Sequence, residues 1–201
     1  MTYLSSPPTI VAIGASGSEG LTDIIDVLKR WPSTVPAVIL VALHRPSDRI
    51  SHLQEVLAKA VVMPVKIAAQ NDHLSLGCVY IGEPGDHLTL IEGGKAGLIA
   101  GSKHEYRNRT VDLLFSSVAK HAKVNGIGII LSGSLDDGSR GLAEIHHAGG
   151  LTAVLKPGNK PVGMQQNAID FDGPINYIGS AAEVCETIMH LLEKRRERIQ
   201  P

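Results

Sequence analysis

The sequence predicts an α/β domain: a doubly wound, mostly parallel sheet with helices on both faces and an antiparallel hairpin at one edge. Three observations predict it. Short unbroken apolar runs alternate along the chain with amphipathic stretches of helical period, the order that builds parallel strands joined by helices. The runs IVAI at 10–13, VPAVILVAL at 35–43, GIGIIL at 126–131 and LTAVL at 151–155 are apolar at successive positions, as in strands covered on both sides. Finally, 43% of the 201 residues are hydrophobic but only 3% are aromatic, so the core is built from Val, Ile, Leu and Ala. That length suits one well-buried domain over residues 9–198, preceded by a polar, Pro-containing lead at Met1–Pro8 that is expected to be flexible.

Each element has a local reason. Ile10–Ile13 forms the first strand and runs into GASGSEG, where Gly14 and Gly17 permit a sharp turn around Ser16. Ser18 is placed to cap a helix with Leu21, Ile24, Ile25 and Leu28 on one side, and Trp31-Pro32 stops it. Val35–Leu43 is the second strand, ending at His44-Arg45-Pro46, with a helix expected over 48–60 and a third strand over 65–69. Cys78–Ile81 and His87–Ile91 alternate around Glu83-Pro84-Gly85-Asp86 and, with the turn at Gly93-Gly94, read as the antiparallel hairpin. Thr110–Lys123 is amphipathic through Val111, Leu114, Phe115 and Val118. A strand at 126–131, a helix at 139–148 stopped by Gly149-Gly150, a strand at 151–155 and a short helix at 164–171 follow. The last helix, 181–198, turns Val184, Ile188, Leu191 and Leu192 inward, and its Lys194-Arg195-Arg196 cluster complements the negative helix end.

Composition removes several classes of function. Lys plus Arg 19 against Asp plus Glu 20 leaves a net charge of −1, so no global field favours nucleic acid or anionic lipid. Two distant cysteines, Cys78 and Cys185, form neither a disulfide framework nor a thiolate zinc site and read as small buried residues. No apolar stretch approaches the ~18 residues that suggest a membrane span, and no signal segment precedes the first strand, so a cytoplasmic location without membrane insertion is expected. The nine histidines lack metal-ligand spacing; His146 and His147, adjacent on one helix, point about 100° apart. Asp86 and His87 can face a cleft, though neither is assigned a catalytic role.

Ligands of open α/β sheets sit beyond the carboxyl ends of the strands. Three polar clusters follow apolar strands there, and they contain Ser16, His44 and Asp137. The glycines around Ser16 read GxxGxxG, which is neither the dinucleotide fingerprint nor a P-loop. Alone, that turn is compatible with a structural bend, a phosphate cradle or a nucleophile. The partners discriminate, because a serine hydroxyl needs an imidazole to take its proton and a carboxylate to orient the imidazole.

The same segments resemble the chemotaxis protein-glutamate methylesterases, the catalytic domain of the CheB type, over nearly the whole chain from about Thr9 to Leu192. IGAS with Ser16 resembles the family's nucleophile segment, ALHRP with His44 its Gln-His-Met-Pro segment, and LSGSLDDGSRG its Gly-rich acid segment, which places the acid at Asp137 and not Asp136. GCVYIGEPGDHLTL, TVDLLFSSVA, AGG at 148–150 and VGM at 162–164 are weaker echoes. The resemblance implies hydrolysis of γ-glutamyl methyl esters on the cytoplasmic helices of chemoreceptors, often with deamidation of glutamine at such sites. Ser16 would be the nucleophile, His44 the base and Asp137 its orienting acid, with the backbone N–H groups of Gly17 and Ser134 as oxyanion hole and no cofactor. The sequence departs from the family at Gly17 (Thr), Ser134 (Met), Arg45 (Met), Arg109-Thr110 (Pro-Ser) and Gln165 (Pro), and a catalytic domain without a phosphorylatable receiver domain is expected. Gly17 and Ser134, at the implied oxyanion positions, motivate the alternative of a catalytically weak or inactive binding and regulatory module. Nucleotide binding at the first turn would leave the second and third clusters as coincidences.

Overall fold

The computed structural model describes residues 7–31, 36–45, 48, 50–101, 109–158 and 163–199, with side chains to 194. The lead at 1–6, Val162 of the VGM segment and the side chains of Arg195 and Arg196 lie outside the described residues. In chain order, the described elements begin with β1 Thr9–Ser16, α1 Gly17–Arg30, β2 Ala37–His44, α2 Leu53–Ala60, β3 Val65–Ile67 and β4 Cys78–Ile81. They continue with β5 Asp86–Ile91, β6 Lys95–Ala100, α3 Thr110–Ala122, β7 Gly126–Ile130 and α4 Ser139–His147. The last are β8 Leu151–Leu155, α5 Met164–Asp170, β9 Tyr177–Gly179 and α6 Ala181–Ile199.

The main sheet has seven strands in the order β3-β4-β2-β1-β7-β8-β9, and every pairing in it is parallel. The order reverses between β1 and β7, so the carboxyl end of β1, with that of β2 beside it, borders the switch point where open α/β sheets collect their ligands. The predicted helix-covered faces are present. Val11, Ile13, Ile39 and Val41 pack with Ile24 and Leu28 of α1, Leu57 of α2 and Val184 and Ile188 of α6. Ile10, Ala12, Val38 and Leu40 pack on the other face with Leu114, Phe115 and Val118 of α3, Leu142 and Ile145 of α4 and Met164 of α5. Phe115, fully buried there, contributes about 1.5–3 kcal/mol by leaving water. Cys78 and Cys185 are both buried free thiols, as their spacing implies.

Five local details differ from the sequence reading. The antiparallel hairpin is built from β5 and β6 as a separate two-stranded sheet, whereas Cys78–Ile81 pairs in parallel with β2 and β3. A four-residue apolar run carries no direction of its own, and the crossover through α2 and β3 decides it. The cap of α1 falls at Ser16, in extended backbone, and not at Ser18, whose carbonyl already accepts a bond from Thr22 Oγ1. Gly14 lies inside β1 instead of in the turn; a Cβ there would run into the side chain of Val111, so glycine lets α3 approach the sheet. Finally, α2 begins only at Leu53, and the three-residue β9 closes an edge of the sheet that the Pro- and Gly-containing stretch before it did not announce.

Candidate functional site

Strand register brings the first two candidate residues together. Ser16 and His44 are the last residues of β1 and β2 and are direct register partners. Side chains alternate between faces along a strand, and in-register neighbours of parallel strands share a face. Ile10, Ala12 and Ser16 therefore lie on the α3 side of the sheet, together with Val38, Leu40 and His44. Ser16 is buried, and the His44 side chain is 11% exposed. No hydrogen bond joins Ser16 Oγ to His44 among the described residues.

Asp137 reaches the same rim from the loop after β7. Its carboxylate accepts a hydrogen bond from His44 Nε2 at 2.7 Å, and its side chain is completely buried, whereas the neighbouring Asp136 is exposed. Two further donors hold it: the N–H of Val111 gives 2.8 Å to Oδ2 and the N–H of Asp112 gives 2.9 Å to Oδ1. Both are unpaired donors of the first turn of α3, so a helix N-terminus faces the negative charge. With Nε2 engaged by the carboxylate, Nδ1 is the ring nitrogen left as proton acceptor in the neutral imidazole.

The proposed oxyanion donors flank Ser16. Gly17 opens α1 with φ of +71°, a left-handed backbone that glycine adopts without strain. Its N–H is the first of the helix's unpaired donors, and the N–H of Ser134, in the exposed loop after β7, has no partner among the described residues. The loop is fixed to β1 and α1: Ser16 N–H donates to Ser132 O at 3.0 Å, and Asp23 Oδ2 accepts from Ser132 N–H at 3.1 Å. Met164 N–H then bonds Gly133 O at 2.9 Å, and a Cβ on Gly133 would collide with the side chains of both Met164 and Ser16. A Cβ on Gly163 would run into the same Gly133 carbonyl, so both residues of the GM pair pack on this loop.

His44 stands between two recesses. A small one of about 60 Å³ is lined by His44, Arg45, Glu83, Asp86, His87 and Thr110, and an apolar cleft of about 400 Å³ runs from Gly17 and His44 toward Leu53 and Val56. Asp86 and His87 do reach the candidate site, as their position allowed. Burial holds the His87 imidazole below its ordinary value, and the charge of His44 pushes the same way against Asp137 and Asp86. Arg45 donates to the carbonyls of Leu43 and Gly82, and burial lowers its guanidinium despite the opposing charge of Glu83. Among the described residues no group of three His, Cys, Asp or Glu could hold a metal ion. No helix among them is long and apolar enough to cross a membrane.

Asp112 was not legible as part of this site. In the sequence it is an ordinary acidic residue in a helix's first turn; its contacts appear only when α3 and α4 meet. Arg109 and Thr110, which depart from the family pattern, stand at the same helix end, and Arg109 Nη1 pairs with Asp112 Oδ2 at 3.0 Å.

Known proteins match the chain in sequence and in fold. The family model for CheB methylesterase matches residues 11–188. A protein-glutamate methylesterase/protein-glutamine glutaminase 2 of Dechloromonas aromatica strain RCB is 34% identical over 168 residues, covering 82% of this chain and 46% of that protein. A protein-glutamate methylesterase/protein-glutamine glutaminase of Yersinia pestis bv. Antiqua is 36% identical over 177 residues, 86% of this chain and 50% of that protein. The chain thus spans about half the length of the curated relatives it matches. The crystal structure of the Thermotoga maritima CheB methylesterase catalytic domain superposes with a TM-score of 0.80 at 26% identity, covering 92% of this chain and 99% of that one. By sequence match and by fold, the chain belongs to the CheB methylesterase family.

Proposed function

We propose that the chain is a serine esterase that hydrolyses γ-glutamyl methyl esters on chemoreceptor cytoplasmic helices, releasing methanol, and that it works in the cytoplasm as one catalytic domain over residues 9–198. The observation that carries this reading is the convergence at one rim: His44 bonded to a buried carboxylate on one side and in register with Ser16 on the other.

In this reading Ser16 Oγ attacks the ester carbonyl while His44 Nδ1 takes its proton. The N–H groups of Gly17 and Ser134 receive the negative oxygen of the tetrahedral intermediate. Collapse breaks the acyl–oxygen bond, and the imidazolium gives its proton to departing methanol. A water then gives a proton to His44 and attacks the acyl-serine; collapse returns that proton to Ser16 and leaves glutamate. Asp137 orients the ring and balances its transient charge. With glutamine in place of the ester the same steps release ammonia, in keeping with the double name of the relatives.

The test is methanol release from a receptor cytoplasmic fragment carrying glutamyl methyl esters. Turnover by the wild-type chain and none by Ser16→Ala is expected; equal turnover by both would refute the reading. A second reading, a binding module with little catalysis, is favoured by Gly17 and Ser134, which stand at the proposed oxyanion positions where the resembled family carries Thr and Met. It predicts that the wild-type chain retains the methylated fragment without releasing methanol.

A further inference from the structure

We infer that Asp112 is a positioning residue for this reaction, holding the loop that presents Asp137 to His44; the inference rests on the reading of Asp137 as the orienting acid. The two carboxylates exchange helix ends. Asp137 accepts the N–H groups of Val111 and Asp112 at the start of α3, and Asp112 Oδ1 accepts those of Gly138 at 3.1 Å and Gly141 at 2.9 Å at the start of α4. Neither helix has a side-chain hydrogen bond from its own capping residue, Arg109 in α3 and Gly138 in α4. Each is capped instead by an acid from the other's beginning, 25 to 29 residues away.

The reciprocity has a geometric consequence. Asp112 grips the residue immediately after Asp137, where the chain turns with φ of +99° at Gly138, while its own backbone N–H grips the Asp137 carboxylate. The Asp137 carboxylate is therefore held directly by the α3 N-terminus, and the peptide that follows Asp137 is held by Asp112. Asp112 is 9% exposed, and its second oxygen is held by Arg109. A cap serving stability alone needs only a short polar side chain at a surface N-cap. Here a charged group is held nearly buried between two helix N-termini, where it fixes their relative position. Released from it, residues 137–141 can shift, and a displacement of about 1 Å in a catalytic group can cost about 10²-fold in rate.

The experiment measures kcat, KM and thermal unfolding of the full chain with the methyl-esterified receptor fragment, for wild type, Asp112→Ala, Asp112→Asn and Asp112→Glu, with Asp137→Asn as reference. Asp112→Ala is expected to lower kcat about 10- to 100-fold with KM within about twofold. Asp112→Asn keeps an acceptor at Oδ1 and is expected to hold kcat within about threefold, whereas Asp112→Glu keeps the charge, moves the acceptor by one methylene and follows alanine. Should alanine fail to fold, the contrast between Asn and Glu decides. Wild-type kcat in the Ala and Glu variants beside a disabled Asp137→Asn, or an Asn variant as slow as alanine, overturns this inference alone. Full turnover by Asp137→Asn overturns the assignment of the acid itself.

Discussion

His44 and Asp137, 93 positions apart in sequence, meet through a 2.7 Å hydrogen bond whose carboxylate is completely buried at the N-terminus of α3. In water such a pair would be worth little; here the acid is already desolvated and fixed by two peptide donors, so the imidazole is held in one orientation and one tautomer. Asp137→Asn presents an amide N–H where an acceptor is required and disturbs the tautomer. It is expected to lower kcat by about 10⁴, the scale seen when a buried orienting acid becomes an amide. Methanol release under saturating substrate checks it.

The oxyanion assignment concerns backbone and not side chains. Ser134→Pro removes the N–H, and loss of one such donor costs about 2.7–4 kcal/mol of transition-state stabilisation, about 10²- to 10³-fold in kcat. The loop at Ser134 is exposed, so the thermal midpoint should change little. Undiminished turnover by this variant would remove Ser134 from the hole.

Gly14 tests the packing that brings α3 to the sheet. Gly14→Ala places a methyl into the Val111 side chain and is expected to destabilise by about 1–3 kcal/mol. Because Val111 also gives its N–H to Asp137, activity should fall along with stability. Adding Val111→Ala should restore part of both, and a double-mutant cycle on unfolding free energies should give a coupling of at least about 0.5 kcal/mol.

His87 gives the fold an acid-side weakness. Its imidazole is held below its ordinary value by burial first, then by His44. The unfolded chain therefore binds a proton there more readily than the folded one, so this group lowers stability as pH falls below about 6.5, the ordinary histidine value. Above that value both states are neutral at this site and it contributes no pH dependence. His87→Gln should flatten the decline of the thermal midpoint on the acid side; an unaltered pH profile would contradict this. Cys185 behaves differently, its thiol being pushed up to about 11 chiefly by burial. In the folded chain it should resist iodoacetamide at pH 8 and react only on unfolding, as read by peptide mass.

What the sequence reveals of this site follows from where information is local. Ser16, His44 and Asp137 each follow an apolar strand, and the alternation of strands and helices is enough to place all three at one end of the sheet. The register that sets Ser16 opposite His44 is legible only after pairing, since two apolar strands can slide past each other in several ways. Cys78–Ile81 reads in sequence as part of the hairpin for the same reason: its partners, not its composition, make it parallel. Gly14 looked like a turn residue because its neighbour Gly17 is one, while its own use depends on Val111, almost a hundred residues away. Asp112 carries no motif of its own, and its exchange with Asp137 exists only between two docked helices.

The most direct test of the central claim is covalent. A serine-directed fluorophosphonate should form one adduct, mapped by peptide mass spectrometry to Ser16, at a rate that falls sharply in His44→Gln. An unlabelled wild-type Ser16, or labelling at full rate without the imidazole, would contradict the account.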